Sequence, residues 1–336
     1  MKKIISLTLS LMLLLGVLAV PAMAEESNAV GQLSYLAMTE EEDQSFLIRR
    51  PLRMLLDLRG VVKTPVEARG KSAVEFYDSL DALLMGFQAG KVNKFVVPYY
   101  TARYLSSTND GLRIATEFYP EKATGIGEWA LSLISDGYSF LLKEENTALR
   151  DELDAQLTAM KEDGTLQKLI DEHIIKASES GEPVAVAFEK FEGEPMKVAV
   201  TGSLPPMDYV AADGSFAGFN TAVLAEIGKR MQKNIELVQV DSVGRALALS
   251  QGTVDVVFWT RGLSENMLAL LKSGEGLEDV IAKTQDTLTE EEQALINEII
   301  KPDQDMLAKW ISRDLPEGTI ITQPYFSDFE VVVINK

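Results

Sequence analysis

Two stretches of the chain share one pattern. Asp78-Ser79-Leu80-Asp81-Ala82-Leu83-Leu84 leads to Gly90-Lys91-Val92-Asn93-Lys94-Phe95-Val96-Val97. Asp241-Ser242-Val243-Gly244-Arg245-Ala246-Leu247 leads to Gly252-Thr253-Val254-Asp255-Val256-Val257-Phe258. Each reads as a capped amphipathic helix, a glycine that ends it, and a short apolar strand. Each follows a strand, Ala73 to Phe76 in one copy and Ile235 to Val240 in the other. Strand, helix, strand at this spacing is a βαβ unit, a parallel pair joined by a right-handed crossover. The repeat therefore predicts an α/β protein with two similar halves.

The second half extends the pattern backwards. Lys197 to Thr201 reads as a buried strand, followed by the loop Gly202-Ser203-Leu204-Pro205-Pro206 and a turn at Asp213-Gly214. Asn220 is expected to cap a helix with the apolar stripe Val223, Leu224, Ile227 and Met231. The result is β-α-β-α-β, the start of an open parallel sheet, whose ligands sit beyond the carboxyl ends of the strands. Between the halves, residues 176–196 combine Gly, Pro, Ser and many glutamates and read as a linker, with Val184 to Phe188 able to form a short strand. Residues 262–312 read as a charged helical insert, with the capping box Thr289-Glu290-Glu291-Glu292. Thr39 to Glu42 repeats that capping pattern. The chain closes with strands over 319–322 and 329–334.

Composition narrows the chemistry. The chain has 336 residues, so about two domains is the length prior. Its 51 acidic against 32 basic residues give a charge of −19, which argues against nucleic acid or an anionic membrane face as partner. The absence of cysteine removes disulfides, thiol nucleophiles and Cys-ligated metals, and the single histidine, His173, disfavours a histidine-rich metal site or a Ser-His-Asp triad. His173 itself reads as a structural residue near a helix end. No phosphate loop or calcium loop is present, so neither metal nor cofactor is expected. At the start, Lys2 and Lys3, the apolar run Leu11 to Val20, Pro21 and Ala22-Met23-Ala24 form a cleavable secretory signal over residues 1–24. No cysteine stands by the cleavage site, so a lipoprotein anchor is not expected, and the location is periplasmic or secreted.

The segment Lys197 to Arg261 resembles the first lobe of bacterial extracellular solute-binding proteins of family 3, the amino-acid ABC transporter type. The matching residues are Val198-Ala199-Val200-Thr201-Gly202-Ser203-Leu204-Pro205-Pro206-Met207, Asp213-Gly214, Gly218-Phe219-Asn220 and Gly252-Thr253-Val254-Asp255-Val256-Val257, with Tyr325-Phe326-Ser327-Asp328 near the final strand. The first half is similar to the other lobe: Gln32 to Thr39 to its opening strand and ligand loop, Asp78 to Leu105 to its middle βαβ unit, Tyr138 to Leu142 to its returning hinge strand, and Asn146 to Ile174 to the closing helices. The resemblance implies a two-lobed periplasmic-binding-protein-like (type II) α/β fold with a hinge. Family members run first lobe, second lobe, closing helices; here the second-lobe-like part, 25–175, precedes the linker 176–196 and the first-lobe-like part, 197–336, with its insert. The implied arrangement is a circular permutation.

That resemblance implies capture of a small polar, carboxylate-bearing solute for the permease of an ABC importer, by a monomer without catalysis. The family holds a ligand carboxylate with an arginine a few residues after the third strand of the first lobe; here Arg261 follows that strand directly, after Trp259 and Thr260, an approximate match, and a guanidinium fork suits that task. Thr201 and Ser203 follow the first strand. Met207 stands where the family often has an aromatic wall, and Tyr35, Met38, Thr39, Tyr99 and Tyr100 approach from the opposite lobe. Thr201 and the Pro98-Tyr99-Tyr100 turn lack the acid that the family uses for an ammonium group, which departs from an ordinary α-amino-acid site. Two other readings stand beside capture. One is a periplasmic dehydratase-like enzyme using Asp208, Asp241 or Glu330; the other is a ligand-sensing protein whose acidic insert docks a partner.

Overall fold

The computed structural model describes residues 29–34, 46–63, 73–182, 184–265, 268–269, 282, 288–300 and 315–336. The expected signal, the Thr39–Glu42 pattern, Tyr35, Met38 and Thr39, and most of the expected insert lie outside these residues.

Among the described residues, the first lobe comprises β1 (Val30–Leu33), α1 (Phe46–Leu58), β2 (Val62–Lys63), β3 (Val74–Tyr77), α2 (Leu80–Gln88), β4 (Lys94–Pro98), α3 (Tyr99–Thr108), β5 (Leu112–Ile114), β6 (Glu117–Phe118) and α4 (Ile126–Ile134). Strand β1 lies parallel between β3 and β4. The βαβ unit forms for the local reasons its sequence carries. Ser79 Oγ accepts from the Ala82 N–H at 3.1 Å, which satisfies one orphan donor of the first turn of α2. Leu80, Leu83 and Phe87 turn into the core, and Gly90, at φ +71°, supplies the left-handed conformation that ends the helix.

Next, β7 (Ser135–Lys143) leaves this lobe, followed by α5 (Thr147–Glu162), α6 (Thr165–Ile170), a π-helical turn at Asp171–Lys176, and α7 (Ala177–Ser180). Counted in chain order, the second lobe, which is the part that resembles the family's first lobe, comprises β8 (Met196–Val200), β9 (Ser203–Leu204), β10 (Asp208–Val210), β11 (Phe216–Ala217), α8 (Phe219–Met231), β12 (Ile235–Gln239), α9 (Gly244–Ser250) and β13 (Val256–Leu263). Then come α10 (Glu290–Ile300), β14 (Thr319–Ile321) and β15 (Phe326–Asn335). Two local expectations are corrected. Helix α8 starts after Gly218, at φ +103°, and Asn220 lies inside it, fully buried, rather than capping it. Val184 to Phe188 makes only an isolated bridge, Ala185 to Ala217.

The main sheet runs β12-β8-β13-β7-β15-β4-β1-β3. Each lobe thus has a parallel triplet in the order second, first, third: β3-β1-β4 in one and β12-β8-β13 in the other. Each triplet is completed by an antiparallel strand from the other half of the chain. β15 pairs with β4, and β7 pairs with β13. The two crossing strands also pair with each other, Phe326 to Phe329 against Tyr138 to Ser135. This reciprocal exchange is the strand order that the permuted reading requires, and it makes the last strand of the chain central to the first lobe. Phe329, Val331 and Val333 of β15 are buried there, each contributing about 1.5–3 kcal/mol of apolar burial. At the crossing, a Cβ on Gly137 would stand 1.9 Å from the Leu263 carbonyl oxygen, so the close approach of β7 and β13 requires glycine there.

A second, smaller core joins the halves beside the hinge. Leu52, Leu55 and Leu56 of α1, Trp129 and Leu133 of α4, and Leu295 and Ile296 of α10 bury one another. Thr289 and Glu292 form the expected reciprocal cap, and Glu292 also accepts from Arg59. The helix of the insert therefore packs on the first lobe, although the chain on either side of it belongs to the second.

Candidate functional site

The strand ends of the two lobes face each other across a cleft open to solvent. The first lobe supplies Leu33, Ser34, Ser79, Leu80, Val96 and Pro98. The second supplies Thr201, Ser203, Leu204, Ser242, Arg245, Trp259 and Arg261, and the crossing strands supply Tyr138 and Glu330. This mixture of apolar wall with few convergent polar groups suits a small solute.

The wall is set by an irregularity in β13. Its register against β7 shifts between Val257 and Thr260, and Trp259 adopts φ +56°, a left-handed conformation that is rare for a bulky residue. The bulge stacks the indole on Tyr138, with centroids 3.6 Å apart and planes at 11°. The Trp259 backbone N–H donates to the Tyr325 hydroxyl at 3.2 Å.

The floor on the second-lobe side is polar. The Thr201 hydroxyl donates to Asp208 Oδ1 at 2.9 Å and the Gly202 N–H to Oδ2 at 2.6 Å. Burial pushes the Asp208 carboxyl up to about 6, against the pull of those two donors and of the Arg245 charge. Arg245 is 6% exposed, and its Nη1 donates to the Phe258 carbonyl at 2.9 Å, which fixes the guanidinium at the cleft. Arg261 Nη2 donates to Asp136 Oδ2 at 2.6 Å and to Glu330 Oε1 at 2.9 Å. On the first-lobe side, Ser34 Oγ donates to Asp78 Oδ1 at 3.1 Å.

Of the residues anticipated from sequence, the structure brings Thr201, Ser203, Trp259 and Arg261 together at the cleft. Thr260 is fully buried beside it and does not line it. Met207 is also fully buried, because the β9–β10 hairpin folds it inward, its N–H bonded to Leu204 O at 2.8 Å. Tyr99 and Tyr100 open α3 and pack on the hinge. Tyr99 stacks on Phe329 with centroids 5.5 Å apart, and Tyr100 meets Phe326 at 6.0 Å. Of the acids weighed for enzymatic chemistry, Asp208 is sealed beneath the floor, Asp241 accepts from the Gly244 N–H at the start of α9, and Glu330 reaches the cleft in its pair with Arg261. His173 is buried in the π-helical turn, where desolvation lowers its pKa. Among the described residues no group of His, Asp and Glu could hold a metal ion.

Sequence reasoning missed Ser79, Ser242 and Arg245. The signal for the first two was present: both follow an aspartate at the same point of the internal repeat, so the repeat itself sets them at equivalent helix starts on opposite lobes.

Residues 196–313 match the family model described as bacterial extracellular solute-binding proteins, family 3. No curated protein matches the chain in sequence. Among solved structures it is similar to the GluR0 ligand-binding core from Nostoc punctiforme in complex with L-glutamate, at 9% identity and TM-score 0.32, covering 92% of this chain and 84% of that one. It is also similar to the Bordetella pertussis BvgS periplasmic VFT2 domain, at 10% identity and TM-score 0.35, covering 92% and 81%. A third is the alkanesulfonate-binding protein SsuA from Xanthomonas axonopodis pv. citri bound to MOPS, at 11% identity and TM-score 0.32, covering 88% and 86%. TM-scores of this size do not fix a common chain path, and the architecture stands on the strand order above. The strand order gives a two-lobed α/β architecture, and the part of it that carries β8 to β13 is similar to bacterial extracellular solute-binding proteins of family 3.

Proposed function

We propose that this chain captures a small polar, carboxylate-bearing solute between its lobes, outside the cytoplasmic membrane, and delivers it as a monomer to the permease of an ABC importer. The observation that carries the reading is the composition of the cleft. Two arginines, Arg245 and Arg261, stand among five hydroxyls, those of Ser34, Ser79, Thr201, Ser203 and Ser242, beside the flat Trp259–Tyr138 stack. Guanidinium groups at a desolvated site recognise an oxyanion by paired N–H donors. The hydroxyls serve the remaining polar atoms, and the aromatic stack gives a flat apolar wall. Both lobes contribute, so closure would surround the solute and strip its water. Every carboxylate at or just beneath the cleft already holds an internal donor, which supports binding over catalysis.

Thermal-shift screening followed by calorimetry against a metabolite panel weighted towards carboxylates tests this. A solute at about 100 times its Kd adds roughly 2.7 kcal/mol to stability, so a true ligand gives a clear rise in Tm. Stabilisation by no carboxylate of a broad panel would overturn the reading.

A further inference from the structure

Arg261 lies where three strands meet. It belongs to β13 of the second lobe and sits opposite Tyr138 of β7. Its two carboxylate partners come one from each crossing strand: Asp136 from β7 and Glu330 from β15. The pairs are shielded, with side-chain exposures of 13% for Arg261, 2% for Asp136 and 11% for Glu330. Asp136 is in register with Asp328, the last pair but one of the β7–β15 ladder, which ends at Phe329 and Ser135, and Glu330, the next residue, is in register with Pro98 of β4. Glu330 is thus the point at which β15 stops pairing with β7 and joins the first-lobe sheet. The Arg261–Glu330 contact spans the hinge, with the cation on a strand of one lobe and the anion on the sheet of the other. Arg53 of α1 holds the same point from outside, donating to the Glu330 carbonyl at 2.9 Å.

We propose that Arg261 is a hinge latch, a positioning residue that sets the angle between the lobes by holding Asp136 and Glu330 on one guanidinium nitrogen. A rigid rotation of one lobe must move Glu330 relative to β13 and stretch this contact, while Asp136 keeps the arginine anchored to the neighbouring strand. Shielded ion pairs are strong only at short distance and good geometry, so the latch favours one interlobe angle over its neighbours. The latch also touches the cleft. Arg261 and Glu330 both line it, so an oxyanion drawn to Arg261 meets a nitrogen already occupied by Glu330. This last link rests on the capture reading; the latch itself does not.

The experiment needs no solute, so it fails or succeeds apart from that reading. The chain has no cysteine, and Met85 on α2 and Leu247 on α9 are 69% and 57% exposed, one on each lobe. The full chain carrying Met85→Cys and Leu247→Cys, spin-labelled at both, reports the interlobe distance by pulsed electron resonance. Glu330→Gln and Arg261→Gln are each expected to shift or broaden the distance distribution. Arg230→Gln, which breaks the Asp163 and Glu226 pairs within one lobe, is expected to leave it superimposed on the parent. Distributions for Glu330→Gln and Arg261→Gln that both coincide with the parent, with folding verified by circular dichroism, would overturn the latch. If Arg261→Gln does not fold, the near-isosteric Glu330→Gln decides alone. A shift produced equally by Arg230→Gln would also overturn it, since any lost ion pair would then have the same effect.

Discussion

Asp328→Asn isolates the electrostatics of the hinge. Asp328 is 4% exposed on β15, and its carboxylate accepts from the Tyr100 N–H at 3.2 Å and from the Phe329 N–H at 2.8 Å, so it caps α3 from the crossing strand. Burial pushes its pKa from 3.8 up to about 7, with nearby Glu330 adding to the rise and the backbone donors opposing it. A carboxyl raised in the fold binds more protons in the native than in the unfolded state between those two values. Its contribution is therefore fully present below the unfolded pKa and lost as pH rises through the folded one. At about 1.4 kcal/mol per pH unit, the loss between pH 5 and pH 8 is about 3 kcal/mol for this group. Asn keeps one acceptor oxygen where the carboxylate uses two, and that cost is independent of pH. The quantity to read is therefore the difference between wild type and variant at pH 5 minus the same difference at pH 8, from urea unfolding at each pH. Wild type should lose about 3 kcal/mol relative to Asp328→Asn on going from pH 5 to pH 8. A difference that does not change with pH, or changes in the opposite direction, would refute the reasoning. It would mean that the helix terminus holds Asp328 ionised despite its burial.

Other variants probe separate parts of the account. Ile296→Ala empties part of the small core between α10 and α1, where Ile296 is fully buried; a loss of about 2–5 kcal/mol in denaturant unfolding is expected, and no loss would separate the insert from the first lobe. Gly137→Ala drives a methyl into the Leu263 carbonyl, so soluble yield should collapse or the far-ultraviolet signal should be lost; a normal protein would show that the strands of the hinge do not approach as described. Arg245→Gln should weaken binding of the stabilising carboxylate at least tenfold, about 1.4 kcal/mol, while leaving unfolding cooperative; unchanged affinity by calorimetry would remove Arg245 from the site.

Much of this architecture could be read from the sequence because it is set locally. The two βαβ units announce themselves through Ser79, through the glycines Gly90 and Gly252, and through apolar strands of the right length. The same logic places Thr201, Ser203, Trp259 and Arg261 at strand ends; Thr201 follows β8 and Ser203 begins β9, whereas β13 runs on past its bulge to Leu263, so Trp259 and Arg261 lie within it. Long-range pairing was less legible. That Glu330 and Asp136 converge on Arg261 depends on the register of β15 against both β4 and β7, strands more than a hundred residues apart in sequence, and no local signal encodes it. Met207 and the Tyr99-Tyr100 pair had the composition of a cleft rim, but a hairpin turns the first inward and a helix start packs the others on Phe326 and Phe329. Asn220 had the chemistry of a cap, yet Gly218 offered the backbone a better entry and the amide was drawn into the core. The reciprocal exchange of strands was expected only from the order of the lobes, and the sheet pairing now gives its physical form.

The most direct test of the central idea, capture between two lobes, is hydrogen–deuterium exchange with and without the carboxylate that stabilises the protein most. The account predicts protection appearing together on Leu33 to Ser34 and Ser79 to Leu80 of the first lobe and on Thr201 to Leu204 and Ser242 to Arg245 of the second. Protection confined to one lobe, or appearing away from the cleft, would contradict it.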